Sequence, residues 1–260
     1  MRRNLKRSET FLSLDHFKKI FGLFNGHCVG LHGWGEPLLN QELFEMIKYA
    51  ESLGTWTNLT TNGTLIREKL DGILGSGLRE IAFGIYDKKL SSRSLPQIEE
   101  LTKEKRKYGL KQPKTYLDIT IYKENLGQIL GLARLVPELG VDAAVFHRLF
   151  NAYRIEEGVE YISADEEEEL FAKIRRLARK LKLEFYLPPK QSPTRSFPCQ
   201  GVKSCIFVSV EGKITPCCFL PDFYLGNALE EKIEGVISSK RYINFIKDME
   251  NHPVCSKCCW

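Results

Sequence analysis

The sequence predicts an α/β protein: a complete or partial (β/α) barrel over residues 1–187, followed by a small cysteine-rich α+β domain over 188–260. Three observations carry this. Strand-like and helix-like patterns alternate at nearly regular spacing between Cys28 and Arg148, with short connections. The run Pro188-Pro189-Lys190-Gln191-Ser192-Pro193 then interrupts every periodicity and marks a domain boundary. Finally, seven of the eight cysteines lie at or beyond position 199.

Ser13 caps a first helix whose Phe17, Ile20, Phe21 and Phe24 share one face, and Asn25-Gly26 ends it. The apolar run Cys28-Val29-Gly30-Leu31 is a first strand, which leads into the turn Gly33-Trp34-Gly35-Glu36-Pro37. Leu43, Ile47 and Ala50 mark a helix that stops near Gly54. Thr55 to Thr61 is a β-branched strand ending in Asn62-Gly63, and a helix runs on from Leu65 to Leu74. A third strand, Glu80 to Tyr86, precedes Asp87 and a helix over Leu95 to Tyr108. The fourth strand, Tyr116 to Tyr122, ends near Asn125, which opens a helix through Leu135. The fifth, Asp142 to Phe146, ends at His147-Arg148. Asp165-Glu166-Glu167-Glu168-Glu169 comes after Ser163, so these acids read as the first turn of a helix and not as a metal site. Leu183 to Leu187 is a further strand.

Parallel strands joined by helical crossovers gather ligands at their carboxyl ends. Glu36, Asn62, Asp87, Asn125 and His147 all fall there and outline one candidate site. Gly33 and Gly35 let backbone approach a ligand closely, and a carboxylate at Glu36 suits a ligand ammonium. Arg148, Tyr153 and Arg154 are candidates for a polar pocket, against the alternative of solvated loop residues.

Past the boundary, Cys205 to Val210 and Lys213 to Cys217 form a hairpin turned by Glu211-Gly212. Two short helical patterns come after Gly226-Asn227. Cys199 and Cys217 flank the hairpin, and Cys255-Ser-Lys-Cys258 offers two thiolates from one turn. Four soft thiolates suit either tetrahedral Zn²⁺ or a [4Fe–4S] cluster. Cys205, Cys218 and Cys259 are additional thiols, and Cys28, alone in a strand, reads as a core residue.

Hydrophobic residues at 43% and charged residues at 27% are ordinary for a soluble globular chain, and no apolar run spans a bilayer. The N-terminus lacks the apolar segment of a signal peptide, so the sequence points to the reducing cytoplasm, where cysteines serve as metal ligands more readily than as disulfides. The net charge of +5 is spread out, and the cluster Arg2, Arg3, Lys6 and Arg7 reads as a solvated end; neither nucleic acid nor membrane is an expected partner.

Gly33-Trp34-Gly35-Glu36-Pro37-Leu38-Leu39-Asn40 resembles the Gly-Gly-Glu-Pro motif of radical S-adenosylmethionine (radical SAM) enzymes, with Trp34 at the first glycine. Thr61-Asn62-Gly63-Thr64-Leu65 resembles the next strand end of that family, and Gly84-Ile85-Tyr86-Asp87 more weakly resembles its serine-x-Asp-Gly turn. Cys199-x12-Gly212-x4-Cys217, Leu225-Gly226-Asn227 and Cys255-x2-Cys258 together resemble the C-terminal SPASM/Twitch extension, the shorter Twitch form being the closer. The resemblance implies an auxiliary [4Fe–4S] cluster on Cys199, Cys217, Cys255 and Cys258. It also implies S-adenosylmethionine held near Gly33, Gly35, Glu36 and Pro37, with Asn62, Thr120 and Asn125 as further contacts to cofactor or substrate. A flavodoxin or ferredoxin reductant, a peptide or small-molecule substrate, and 5′-deoxyadenosyl radical chemistry are implied as well.

The family's radical-generating cluster sits on Cys-x3-Cys-x2-Cys after the first barrel strand, and this sequence has no such motif. Met1-Arg2-Arg3-Asn4 through Phe11-Leu12-Ser13 resembles the segment directly after the third of those cysteines. The resemblance therefore implies a barrel without its first strand, a second [4Fe–4S] cluster only if the missing motif precedes Met1, and no reductive cleavage by residues 1–260 alone. The competing readings are a non-catalytic relative serving as a [4Fe–4S] electron-transfer or binding module, and a zinc-binding interaction protein. The last explains the cysteines but not Gly33 to Asn40.

Overall fold

The computed structural model of the chain describes residues 10–24, 26–89, 91–149, 160–190 and 197–258. Arg2, Arg3, Lys6, Arg7, Tyr153, Arg154 and Cys259 lie outside the described residues. The chain divides into two compact units, with boundaries after residue 26 and after residue 191.

The unit of residues 27–191 is built on β1 (Cys28–Gly30), β2 (Trp56–Thr61), β3 (Glu80–Ile85), β4 (Lys114–Ile121), β5 (Ala143–Arg148) and β6 (Glu184–Tyr186). These form one sheet in the order β1-β2-β3-β4-β5-β6, each strand parallel to the next. Strands in chain order and parallel throughout are the product of repeated βα units. The crossovers carry α2 (Leu43–Ser52), α3 (Ile66–Gly75), α4 (Leu95–Lys107), α5 (Ile129–Leu139) and α6 (Ala164–Leu181).

Strand side chains alternate between two environments. Ile81, Phe83 and Ile85 of β3, and Leu117, Ile119 and Ile121 of β4, are fully buried in the core that also holds Ile47, Ile73, Ile98, Val136 and Ile174 of the helices. The intervening residues Glu80, Ala82, Gly84, Tyr116, Asp118 and Thr120 are only half-buried. One face of the sheet is thus sealed by helices, and the other is polar and partly open.

The acidic run is a helix start, as expected. The Ser163 hydroxyl accepts the Glu166 N–H while the Glu166 carboxylate accepts the Ser163 N–H, a reciprocal cap at the head of α6. The helix predicted to open at Asn125 instead begins at Ile129, because a 3₁₀ segment, Lys123–Gln128, comes first. Cys28 is exposed, which corrects the core reading: it opens β1 at the sheet edge, where it accepts a hydrogen bond from the Asn58 amide at 3.1 Å.

The other unit combines residues up to 26 with those beyond 191. Here β7 (Phe207–Val208), β8 (Lys213–Thr215) and β9 (Gly226–Asn227) form an antiparallel sheet, with β8 central. The predicted hairpin is β7–β8; the third strand, on Gly226-Asn227, was not anticipated. Short helices α7 (Gln200–Ser204), α8 (Ile233–Ile237) and α9 (Lys240–Lys247) complete the region. The capped N-terminal helix α1 (Leu14–Phe21, the first helix predicted) belongs here and not with residues 27–191. Its Ile20 packs with Ile214, Leu225, Ala228 and Val236. Its single apolar stripe found an apolar partner that lies far downstream in sequence.

Candidate functional site

Glu36 ends the turn after β1. It caps a 3₁₀ segment, Pro37–Leu39, with its Oε1 accepting the Leu38 N–H at 3.1 Å. Pro37 fits because that position needs no N–H donor. The same Oε1 accepts the Thr61 hydroxyl at 2.7 Å, and Oε2 accepts the Asn62 N–H at 2.8 Å. Glu36 therefore bridges the carboxyl ends of β1 and β2. The Asn62 side chain folds back on its own loop, its Oδ1 accepting from Thr64 N and Oγ1 at 2.8 and 2.6 Å. A Cβ on Gly35 would meet nothing within 4 Å, so backbone there borders open space. Gly33 lies exposed in the same turn.

Asn125 is fully buried and committed to the fold. Its Nδ2 donates to the carbonyls of Tyr86 and Thr120 at 2.8 and 2.7 Å, and its Oδ1 accepts the Tyr122 N–H at 3.0 Å. Both amide donors are spent on the ends of β3 and β4. This corrects the expectation of a side-chain ligand contact: Asn125 is a brace. Asp87 lies half-buried just past β3.

Thr120 and His147 sit opposite each other in the β4–β5 register on the partly open face. On that face His147 Nε2 lies 3.4 Å from Asp118 Oδ1. Burial pushes the Asp118 carboxyl above the usual carboxylate range, opposed by the charge of His147. The Tyr116 hydroxyl donates to Glu80 Oε1 at 2.8 Å, and burial with that bond pushes the phenol up to about 12. Glu80, Tyr116, Asp118 and His147 border a pocket of about 510 Å³, together with Asn58, Thr60 and Tyr186. Asp118, Tyr116 and Glu80 escaped the sequence reading, which looked only at strand ends. The signal was present: they are the polar members of a strict period-two alternation.

Arg148 is buried, not a solvated or pocket-lining residue. It donates from Nε and Nη2 to the two carboxylate oxygens of Glu167 at 2.6 and 2.9 Å, and from Nη2 to the Pro189 carbonyl. The Tyr161 hydroxyl also donates to Glu167. The alternation that carries Asp118 toward the open face carries Arg148 to the helix side.

In the cysteine-rich unit, Cys199 precedes α7, Cys217 lies just past β8, and Cys255 and Cys258 bracket a 3₁₀ segment. Cys199, Cys217 and Cys255 pack on one apolar cluster with Val202, Leu220, Phe245 and Met249. Burial, and then the neighbouring thiols Cys218, Cys255 and Cys258, push Cys217 up to about 12 against a backbone hydrogen bond from Phe219 that lowers it. Burial with Cys258 and Cys199 likewise pushes Cys255 up to about 11. The four expected ligands thus share one electrostatic neighbourhood. Among the described residues no three metal-binding side chains already stand in ligating positions. The donor set itself fits: repulsion among crowded thiolates is relieved when a bound metal neutralises them.

Residues 199–259 match the family model SPASM, described as an iron–sulfur cluster-binding domain. That favours iron–sulfur over zinc at these cysteines. The chain is 25% identical over 251 residues to an AdoMet-dependent heme synthase of Methanosarcina barkeri, covering 83% of this chain and 70% of that protein. It is 23% identical over 240 residues to a PqqA peptide cyclase of Gluconobacter oxydans, covering 86% and 67%. Streptococcus suis SuiB, solved with S-adenosylmethionine, superposes with a TM-score of 0.69 at 14% identity. That match covers 94% of this chain but only 62% of SuiB, and it shows the shared fold. Among the described residues no helix is long and apolar enough to cross a membrane.

Proposed function

For a chain of radical SAM type carrying a SPASM iron–sulfur domain, we propose a role in a maturase that modifies a peptide or small molecule. The observation that supports this is the packing of Cys199, Cys217 and Cys255 on one apolar cluster within the segment that matches the cluster-binding family, with Cys258 three residues past Cys255. The similarity to a peptide cyclase supports a peptide substrate, and that to an AdoMet-dependent synthase supports S-adenosylmethionine. A flavodoxin- or ferredoxin-type reductant and a cytoplasmic setting belong to the same reading.

In this reading the four thiols hold an auxiliary [4Fe–4S] cluster. When bound and reduced, the family's cofactors supply a 5′-deoxyadenosyl radical for hydrogen abstraction. This chain's own residues hold and shield. Glu36, already tied to β1 and β2, keeps acceptor capacity for the amino group of S-adenosylmethionine. Gly33 and Gly35 leave room beside it, and Thr120 faces the same open side of the sheet. Asn125 fixes the neighbouring strand ends, so the rim is rigid before any ligand arrives.

A second reading is a cluster-bearing electron-transfer or binding module, a role that the iron–sulfur segment at residues 199–259 could fill by itself. Anaerobic reconstitution with iron and sulfide tests both readings. A brown protein with about four irons per chain that binds S-adenosylmethionine in calorimetry supports the maturase. The same protein without affinity for S-adenosylmethionine supports the module.

A further inference from the structure

The open face of the sheet holds a carboxylate that the fold leaves incomplete. Asp118 Oδ1 is buried and has no hydrogen-bond partner among the described residues. The nearby His147 Nε2, at 3.4 Å, stands beyond good hydrogen-bonding distance. A buried polar atom in this condition costs free energy until a donor reaches it. It borders a pocket whose volume suits a small organic group and far exceeds that of one water.

The surroundings identify the donor. Glu80 adds a second carboxylate to the pocket wall, held by the Tyr116 hydroxyl. Glu184 stands nearby, and Lys114 is bound to it at 3.2 Å. That pairing leaves Asp118 and Glu80 facing the pocket, among the described residues, without a matching fixed cation beyond the titratable His147. The rings of Tyr116 and Tyr186, with centroids 6.3 Å apart, add faces that attract positive charge. Lys114 Nζ already lies 5.5 and 5.9 Å from those two ring centres. The floor is built small, with Ala82 between the polar groups.

We propose that this floor is a binding site for an organic cation, an ammonium or guanidinium on a short aliphatic stem, whose N–H completes Asp118 Oδ1. Glu80 supplies the second acceptor, and Tyr116 and Tyr186 flank the stem. The upward push on the Asp118 carboxyl agrees with this, since a cation acts in the same direction as His147 and restores the ionised form. Within the proposed maturase the occupant is a basic part of the substrate, and only that identification rests on the maturase reading.

The test uses the full chain, without iron or S-adenosylmethionine, so its result is independent of the radical chemistry. n-Butylammonium chloride and sodium butyrate are titrated at matched ionic strength, and the ring signals of Tyr116 and Tyr186 are followed by NMR. Saturable millimolar binding of the amine, none of butyrate, and a loss of about tenfold or more in Asp118→Asn are expected. Glu80→Gln loses about threefold and serves as the second variant should Asp118→Asn not fold. Absence of amine binding, equal binding of butyrate, or undiminished affinity in whichever variant folds overturns the proposal.

Discussion

The carboxylate of Glu36 accepts the backbone N–H of Asn62 at 2.8 Å, joining the turn after β1 to the end of β2. The same carboxylate takes the Thr61 hydroxyl and the Leu38 N–H. A residue expected to serve a ligand is thus also part of the scaffold.

Glu36→Ala is expected to lower stability by about 1–3 kcal/mol, read as a shifted denaturant midpoint. Thr61→Val removes one donor and keeps the charge, so it should cost less and leave S-adenosylmethionine binding in place. Equal loss of binding in the two variants would show that Glu36 acts only through the fold.

Serine at Cys199, Cys217, Cys255 or Cys258 should each lower iron retention after anaerobic reconstitution. Cys28→Ser should not, because Cys28 stands exposed on β1 in the other unit. Iron analysis of the five variants decides it, and full iron in any of the first four removes that ligand from the set.

Arg148→Ala is expected to cost about 3–5 kcal/mol. The change removes two charged hydrogen bonds from the Glu167 carboxylate, only 4% exposed, which Tyr161 also contacts. Replacing both charged partners, as Arg148→Met with Glu167→Leu, should recover a large part of that loss. Chemical denaturation of the single and double variants measures the coupling.

Asp142 gives a pH dependence. Burial opposes its charge, yet Lys105 at 2.8 Å and the Thr115 hydroxyl and N–H at 2.7 and 2.8 Å outweigh burial and hold the carboxyl below its usual value. A depressed folded-state pKa stabilises above the unfolded value, near 3.9, and that contribution is lost as pH falls through the folded one. The gap in thermal midpoint between the wild type and Asp142→Asn should be constant at neutral pH and shrink below about pH 4. A gap that widens on acidification would contradict the assignment.

The strands and most helices were legible because their signals are local. Ser163 and Glu166 announce a cap, and Ile81, Phe83 and Ile85 announce a buried face. The cysteine-rich segment was legible as an iron–sulfur family match because the spacing of its thiols is itself a local code. The features that stayed hidden depended on partners distant along the chain. Nothing near Asn125 reveals that Tyr86 takes its amide hydrogen, and nothing near Arg148 points to Glu167. Asp118 was hidden differently. Its alternation shows which face it joins, but only the fold shows that no donor among the described residues meets it there.

The N-terminal helix has a consequence for synthesis. Ile20 leaves the ribosome early, whereas Ile214, Leu225 and Val236 are made only after the whole of the parallel sheet. At about 5–20 residues per second, that stripe waits on the order of ten to forty seconds for its partners. Its exposed apolar face is a natural landing place for a chaperone during that interval. A fragment begun at residue 192 would meet the converse problem, displaying the surface that Ile20 should cover.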